Sequence, residues 1–340
     1  MKSQRINIRR VCSQIIVGTV FLAYSLCLAW TLTQRVMTEF DWSMLQQICE
    51  GSAPTPFQYR ILVPLLMNAS DYAVQSVTGY KPDIKTLALL FTMVATLLYI
   101  AGGRMMLFAV FGRTRQIDAY SFLLCLMLPF ACVLPFQRYY YISDIPAIAL
   151  FCWGIFLIYR EKYPAFYLVY AIATLNRETS CFLTIIFLMA RWMPGQRTRT
   201  LKHCIAQGAL WLAIKAALWV IYFGNITDYA NIGGFCRLTV INNLRSLIQA
   251  GDTLPALVWA QLLTAFGGLW VPLILHFRNI DTQFVRRSLL VLPVYLFAMT
   301  FVGCLYEIRI FGELIPIILL GHCHLICAQD RNHEKKQTAP

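Results

Sequence analysis

Charge is scarce in this chain. Only 13% of its 340 residues are Asp, Glu, Lys or Arg, where a soluble domain carries roughly a quarter. That deficit, with a mean hydropathy of +0.60, excludes an ordinary soluble globular protein. Alternating polar and apolar residues are rare and strand-turn signals few, which argues against a β-barrel. No internal repeat and no low-complexity linker interrupts the chain. No compact His, Cys or acidic cluster offers a metal site; His322, Cys323, His324 and Cys327 lie in one apolar run, and residues two apart do not share a helix face. The 29 Lys and Arg outnumber the 16 Asp and Glu. Yet no basic stripe interleaved with aromatics exists, so nucleic acid is not an expected partner.

What the chain has instead is apolar runs of about 17–25 residues, the length that crosses a bilayer as a helix. The sequence reads as an all-α, polytopic membrane protein of about ten membrane segments: 11–32, 86–111, 119–136, 143–159, two short limbs within 164–192, 203–223, 255–277, 288–303 and 311–328. Residues 1–328 are read as one membrane domain and 329–340 as a polar cytoplasmic tail. The first run is too long for a signal-peptide core and reads as an uncleaved helix. Segments 33–85 and 224–254 form the long exoplasmic loops, and Arg60–Val77 suits a helix lying at the interface. The loop charges place both termini on the cytoplasmic side, with anionic lipid beside the basic loops. Twelve cysteines fall mostly inside apolar runs, where thiols act as small hydrophobes. Cys49 and Cys236 are the pair open to a disulfide in the exoplasmic loops. Gly102-Gly103 and Gly267-Gly268 read as points of close helix packing.

Pro164 to Trp192 is an apolar stretch broken by Asn176-Arg177-Glu178. As a single span it would put Arg191, Arg197, Arg199, Lys202, Arg278, Arg286, Arg287, Arg331, Lys335 and Lys336 outside, leaving Arg237, Arg245 and Arg309 inside. Ten against three violates the positive-inside rule. If the chain reverses at Asn176–Glu178, the count inverts. Each limb is then roughly 20 Å long at 1.5 Å per residue, shorter than the hydrocarbon core, so the tip lies in a recess below the outer surface.

That reversal gathers ionisable residues on one face: Asp41, Arg60, Arg138, Asp144, Arg177, Glu178, Glu307 and Arg309. Ionisable groups at membrane depth mark sites by default. Arginine grips phosphate oxygens as a bidentate fork, and a carboxylate can take a proton from an attacking hydroxyl. Tyr139, Tyr140 and Tyr141 read first as an aromatic belt and second as a sugar-stacking platform.

Several short motifs carry a resemblance. Phe40-Asp41-Trp42 follows the first span. Pro56-Phe57-Gln58-Tyr59-Arg60-Ile61-Leu62-Val63-Pro64 leads into the interfacial segment. Tyr141-Ile142-Ser143-Asp144-Ile145-Pro146-Ala147 opens a later span, and Leu175-Asn176-Arg177-Glu178-Thr179 and Glu307-Ile308-Arg309-Ile310-Phe311 follow. In layout and motif the chain resembles polytopic glycosyltransferases of the GT-C fold, which use polyprenyl-phosphate sugars. The resemblance implies a GT-C-like fold, a lipid-linked sugar donor and a hydroxyl acceptor on a glycan or lipid-linked glycan. It makes Asp41 the general base, with Asp144 a second candidate base or metal ligand. Arg60, Arg138, Arg177 and Arg309 would stabilise the leaving phosphate, while Glu178 and Glu307 orient arginines or bind sugar hydroxyls. It leaves room for a divalent metal, with Asp144 the candidate ligand and no compact ligand cluster around it. The alternatives are a transporter or flippase, or a polymerase, of lipid-linked glycans. A transporter favours matched broken helices in two halves, and the sequence offers one broken segment.

Overall fold

The computed structural model describes residues 8–134, 140–225, 232–248 and 255–337. These residues form helices, with no strand among them. In chain order they are α1 (Ile8–Thr31), α2 (Glu39–Glu50), α3 (Leu62–Thr78), α4 (Ile84–Phe111), α5 (Arg115–Tyr120), α6 (Leu123–Cys132), α7 (Asp144–Tyr159) and α8 (Tyr163–Asn176). There follow α9 (Cys181–Arg191), α10 (Arg197–Ile221), α11 (Ile232–Ile248), α12 (Pro255–Thr264), α13 (Trp270–Leu275), α14 (Gln283–Ser288), α15 (Val291–Val302) and α16 (Ile315–Gln337).

Among the described residues, five stretches are long and apolar enough to cross a membrane: Gln14–Val36, Ile84–Phe111, Arg197–Ile221, Gln283–Val302 and Ile308–Cys327. That is compatible with an integral multi-pass protein. The other expected segments appear as shorter or broken helices. The apolar α7 has 16 residues. The 119–136 segment is split between α5 and α6. The 255–277 segment breaks at Ala265–Gly268, where Phe266, Gly267 and Gly268 take φ of 56°, 67° and 73°. Gly267-Gly268 is therefore a left-handed turn, a backbone glycine adopts without a Cβ clash, and Gly267 also packs there, since a Cβ on it would lie 3.4 Å from the Phe130 ring. Gly102-Gly103 does pack closely. A Cβ on Gly102 would lie 2.8 Å from the Trp153 ring, and one on Gly103 2.5 Å from Leu124. These glycines let α4 lie against α7 and α6.

The core lies around α7 and α16. Within the Ile308–Cys327 window 83% of residues are buried, against 11% for Arg197–Ile221, so α10 is the peripheral helix. The segment Arg60–Val77 does form a helix, α3, and leaves Leu65, Leu66, Tyr72 and Val77 exposed.

The chain does reverse at the expected place. Pro164 sits in the first turn of α8, where its missing N–H costs nothing. The helix stops when Arg177 turns extended, at φ −154° and ψ 149°. A short 3-10 turn, Glu178–Ser180, then starts α9. Tyr163 and Phe166 meet Phe187 in ring contact, and Thr184 donates to the Tyr170 hydroxyl. Early residues of α8 thus pair with late residues of α9, as an antiparallel hairpin requires. At its base Arg191 bonds Glu161 and the carbonyls of Ile158 and Tyr159. The tip is recessed relative to α10: the Trp211 indole donates to the Glu178 carbonyl, ten residues before the last residue of α10. That is about 15 Å along a helix.

Candidate functional site

Two charged groupings meet at the pole that holds the hairpin tip. The inner one centres on Asp144, the first residue of α7. Its Oδ2 accepts from the Tyr141 backbone N–H at 2.8 Å, which anchors the helix start. Its Oδ1 receives Arg177 at 3.0 Å and Arg309 at 3.2 Å. Arg177 reaches Glu313 at 3.3 Å, and Arg309 reaches Glu307 at 2.5 Å. Glu313 also accepts from the hydroxyls of Thr179 at 2.8 Å and Tyr295 at 2.7 Å. Asn176 fixes the hairpin to α7 by donating to the Ser143 carbonyl. Glu313 is 0% exposed, Asp144 1% and Arg177 4%. Buried ions persist only when paired and hydrogen-bonded, and here every carboxylate has a guanidinium.

The outer grouping surrounds the opposite side of the tip. Arg60 donates to both oxygens of Glu178, with a closest approach of 2.6 Å. Lys215 of α10 lies near enough for its charge to act on both. It stands one helical turn from Trp211, which holds the Glu178 carbonyl. The neighbouring end of α10 is tied to the first long loop, because Asn225 donates to the Gly51 and Ala53 carbonyls.

A small cleft of about 20 Å³ opens beside Arg60 and is lined by Asp41, Phe57, Arg60, Tyr141 and Ser143 among others. Asp41 caps α2. Thr38 and Asp41 form a capping box, with the Thr38 N–H and hydroxyl both donating to Asp41 Oδ2 at 2.8 Å. Oδ1 accepts no hydrogen bond among the described residues. Tyr141 joins the cleft to the inner network. Its ring meets Phe57 edge-on at 5.6 Å, and Arg309 stacks 4.1 Å above it. Arg60 in turn lies 5.6 Å over Phe57. The order is cation, ring, ring, cation, the arrangement that the negative face of an aromatic favours. Burial pushes the Tyr141 phenol up to about 12 against the pull of Arg309.

Of the expected site residues, Asp144, Arg177, Arg309 and Glu307 are brought together, Arg60 and Glu178 form a pair beside them, and Asp41 shares a cleft with Arg60. Arg138 lies outside the described residues, as do Tyr139 and the side chains of Cys236 and Arg237. Tyr140 is fully buried and hydrogen-bonded to Thr92, and Tyr141 is sandwiched by neighbours. Neither belongs to an exposed aromatic belt. Glu313 escaped the reading of site residues; it is an ionisable residue inside an apolar run, which is itself the signal that could have found it. Lys215 stands out in the sequence by the same signal, where a snorkelling or packed lysine and a site lysine are equal readings.

Among the described residues no group of three or more His, Cys, Asp or Glu is arranged to hold a metal ion. The carboxylates that do converge already take arginine, so they do not fit a divalent cation. His322 faces the Leu269 carbonyl, while His324 accepts from the Asp281 N–H.

A second, apolar cavity of about 580 Å³ runs between α12, α13 and α15, with Phe266, Trp270, Leu292, Phe311 and Leu314 in its walls. Phe311 and Leu314 come from the same turn of chain as Arg309 and Glu313. Comparison with protein-family models, with curated proteins and with solved structures finds no match to this chain.

Proposed function

We propose that the chain is a membrane glycosyltransferase of GT-C type. It moves a sugar from a polyprenyl-phosphate donor to a hydroxyl of a glycan or lipid-linked glycan, at the exoplasmic face of a bacterial plasma membrane. The observation that carries this reading is the cleft where Asp41 and Arg60, from the first long loop, meet Tyr141 at the head of α7. It sets a carboxylate with one unbonded oxygen beside a cation, next to a membrane-buried network.

In this mechanism Asp41 takes the proton of the acceptor hydroxyl. The hydroxyl oxygen attacks the anomeric carbon as the bond from that carbon to the phosphate oxygen breaks. The leaving phosphate keeps the electron pair, and arginine stabilises its charge. Asp144 serves as counterion and not as base, since two guanidinium groups and a backbone N–H already occupy it. The apolar cavity suits a lipid chain.

The reading is tested with the purified chain in liposomes and a panel of polyprenyl-phosphate sugars. Wild type releases polyprenyl phosphate from one of them, and Asp41→Asn does not. Equal release by both removes the base assignment. The break between α12 and α13 favours a second reading: with the hairpin it makes two discontinuous segments, as transporters have. Movement of lipid-linked glycan across the bilayer without any release would favour that reading.

A further inference from the structure

The inner and outer groupings differ in sign. Asp144, Glu307 and Glu313 oppose Arg177 and Arg309, three negative charges against two positive. At Glu178, Arg60 and Lys215 stand two positive against one negative, with the Asp41 carboxylate on the far side of Arg60 in the cleft. An anion entering this pole is repelled by the inner excess and attracted by the outer one. The inner arginines are also ion-paired, held between carboxylates in salt bridges of 3.3 Å or less, and the buried Nε of each is left without a hydrogen bond among the described residues.

Lys215 is not committed. Its Nζ is buried and has no hydrogen-bond partner among the described residues. An ammonium carries three donors, and leaving them unmet in a buried place costs stability. Such a residue survives in a membrane helix where it meets something charged. Glu178 supplies part of that, but Arg60 holds both of its oxygens. Arg60 is at the same time a wall of the Asp41 cleft. One cation is therefore shared between the cleft and Glu178, with a second cation waiting beside the same carboxylate.

We propose that Arg60 and Lys215 form the phosphate-binding site of this protein, and that Glu178 hands its ion pair from Arg60 to Lys215 when a phosphate or diphosphate monoester enters. The proposal deepens the transferase reading by naming the phosphate site, and it moves that site away from Arg177 and Arg309. In the resting protein Glu178 neutralises Arg60. On binding, Arg60 turns its planar fork to the phosphate oxygens, and Lys215 keeps Glu178 from being left alone.

Trp211, bonded to the Glu178 carbonyl, provides an internal reporter. The full chain in nanodiscs is titrated with farnesyl phosphate and, separately, with inorganic pyrophosphate, reading tryptophan fluorescence; Trp211→Phe identifies the responding signal. Lys215→Met, which keeps length and removes charge, should weaken binding about tenfold, the effect of one lost charge-assisted contact. Lys215→Arg should retain most of it. Glu178→Gln should tighten binding, because it frees Arg60 and raises the local excess from one positive charge to two. Lys202→Met, exposed near the other end of α10, should change nothing. Unaltered affinity in Lys215→Met, or weaker affinity in Glu178→Gln, overturns the proposal. Farnesyl phosphate binding in preference to pyrophosphate assigns the site to a lipid headgroup, and the reverse assigns it to a free anion. Binding that obeys these rules while no sugar donor is turned over keeps the phosphate site and discards the transferase.

Discussion

Two clusters of charge stand on either side of one hairpin tip, and they are built on opposite principles. The inner cluster is sealed. Asp144, Arg177, Arg309 and Glu313 are all nearly free of solvent, and the hydroxyls of Thr179 and Tyr295 complete the shell of Glu313. It ties the hairpin, the head of α7 and the turn before α16 into one unit. The outer cluster is looser. Glu178 keeps 39% of its side chain exposed, and Lys215 keeps its donors unmet. Equal density of charge does not mean equal purpose. A closed network fixes geometry, whereas an open one with an excess cation invites a ligand.

The difference is most severely tested at Glu313. Glu313→Gln leaves Arg177 short of a buried counterion, and removing one partner of such a pair costs about 3–5 kcal/mol. Unfolding measured in detergent should show a loss of that order. An unchanged midpoint would mean that the inner cluster holds nothing together. Asp41→Asn sharpens the comparison from the cleft side. It should lower transfer at least ~100-fold, the low end of general-base catalysis, with normal yield. Asp41→Ala confuses the issue because it also removes the side-chain half of the α2 capping box, worth up to about 1 kcal/mol.

The smallest effect belongs to the residue between the clusters. Burial raises the Tyr141 phenol to about 12 from its ordinary 10. In the unfolded chain it ionises first, so its contribution is whole below pH 10 and is lost as the pH rises towards 12. Tyr141→Phe keeps the ring between Phe57 and Arg309 and should flatten that alkaline loss, leaving stability at pH 7 within about 0.5 kcal/mol of wild type. An unaltered alkaline profile would show that Tyr141 does not titrate as described.

Much of this pole was legible in the sequence because the positive-inside rule is a count over many residues and tolerates local error. It located the reversal at Asn176–Glu178, and the structure turns the chain there. The short limbs implied a recessed tip, and the Trp211 bond sets Glu178 level with a point ten residues before the end of α10. Individual partners were less legible. Which carboxylate meets which arginine depends on three-dimensional closure, so Glu307 and Glu178 could be named but not paired. Glu313 was hidden inside a run read as a plain span. The α12–α13 break was hidden because a Gly-Gly pair suits both close packing and a left-handed turn. The Asp41 side chain illustrates a different limit: its role as a helix cap and its place in a cleft use the same residue, and spacing alone does not separate them.

The most direct measurement pairs two readouts on one preparation of Lys215→Met: affinity for farnesyl phosphate and the unfolding midpoint. If the outer cluster binds ligand and the inner one holds the fold, affinity falls about tenfold while the midpoint stays or rises. Affinity that is unchanged, or that falls only in step with a lost midpoint, would contradict that division.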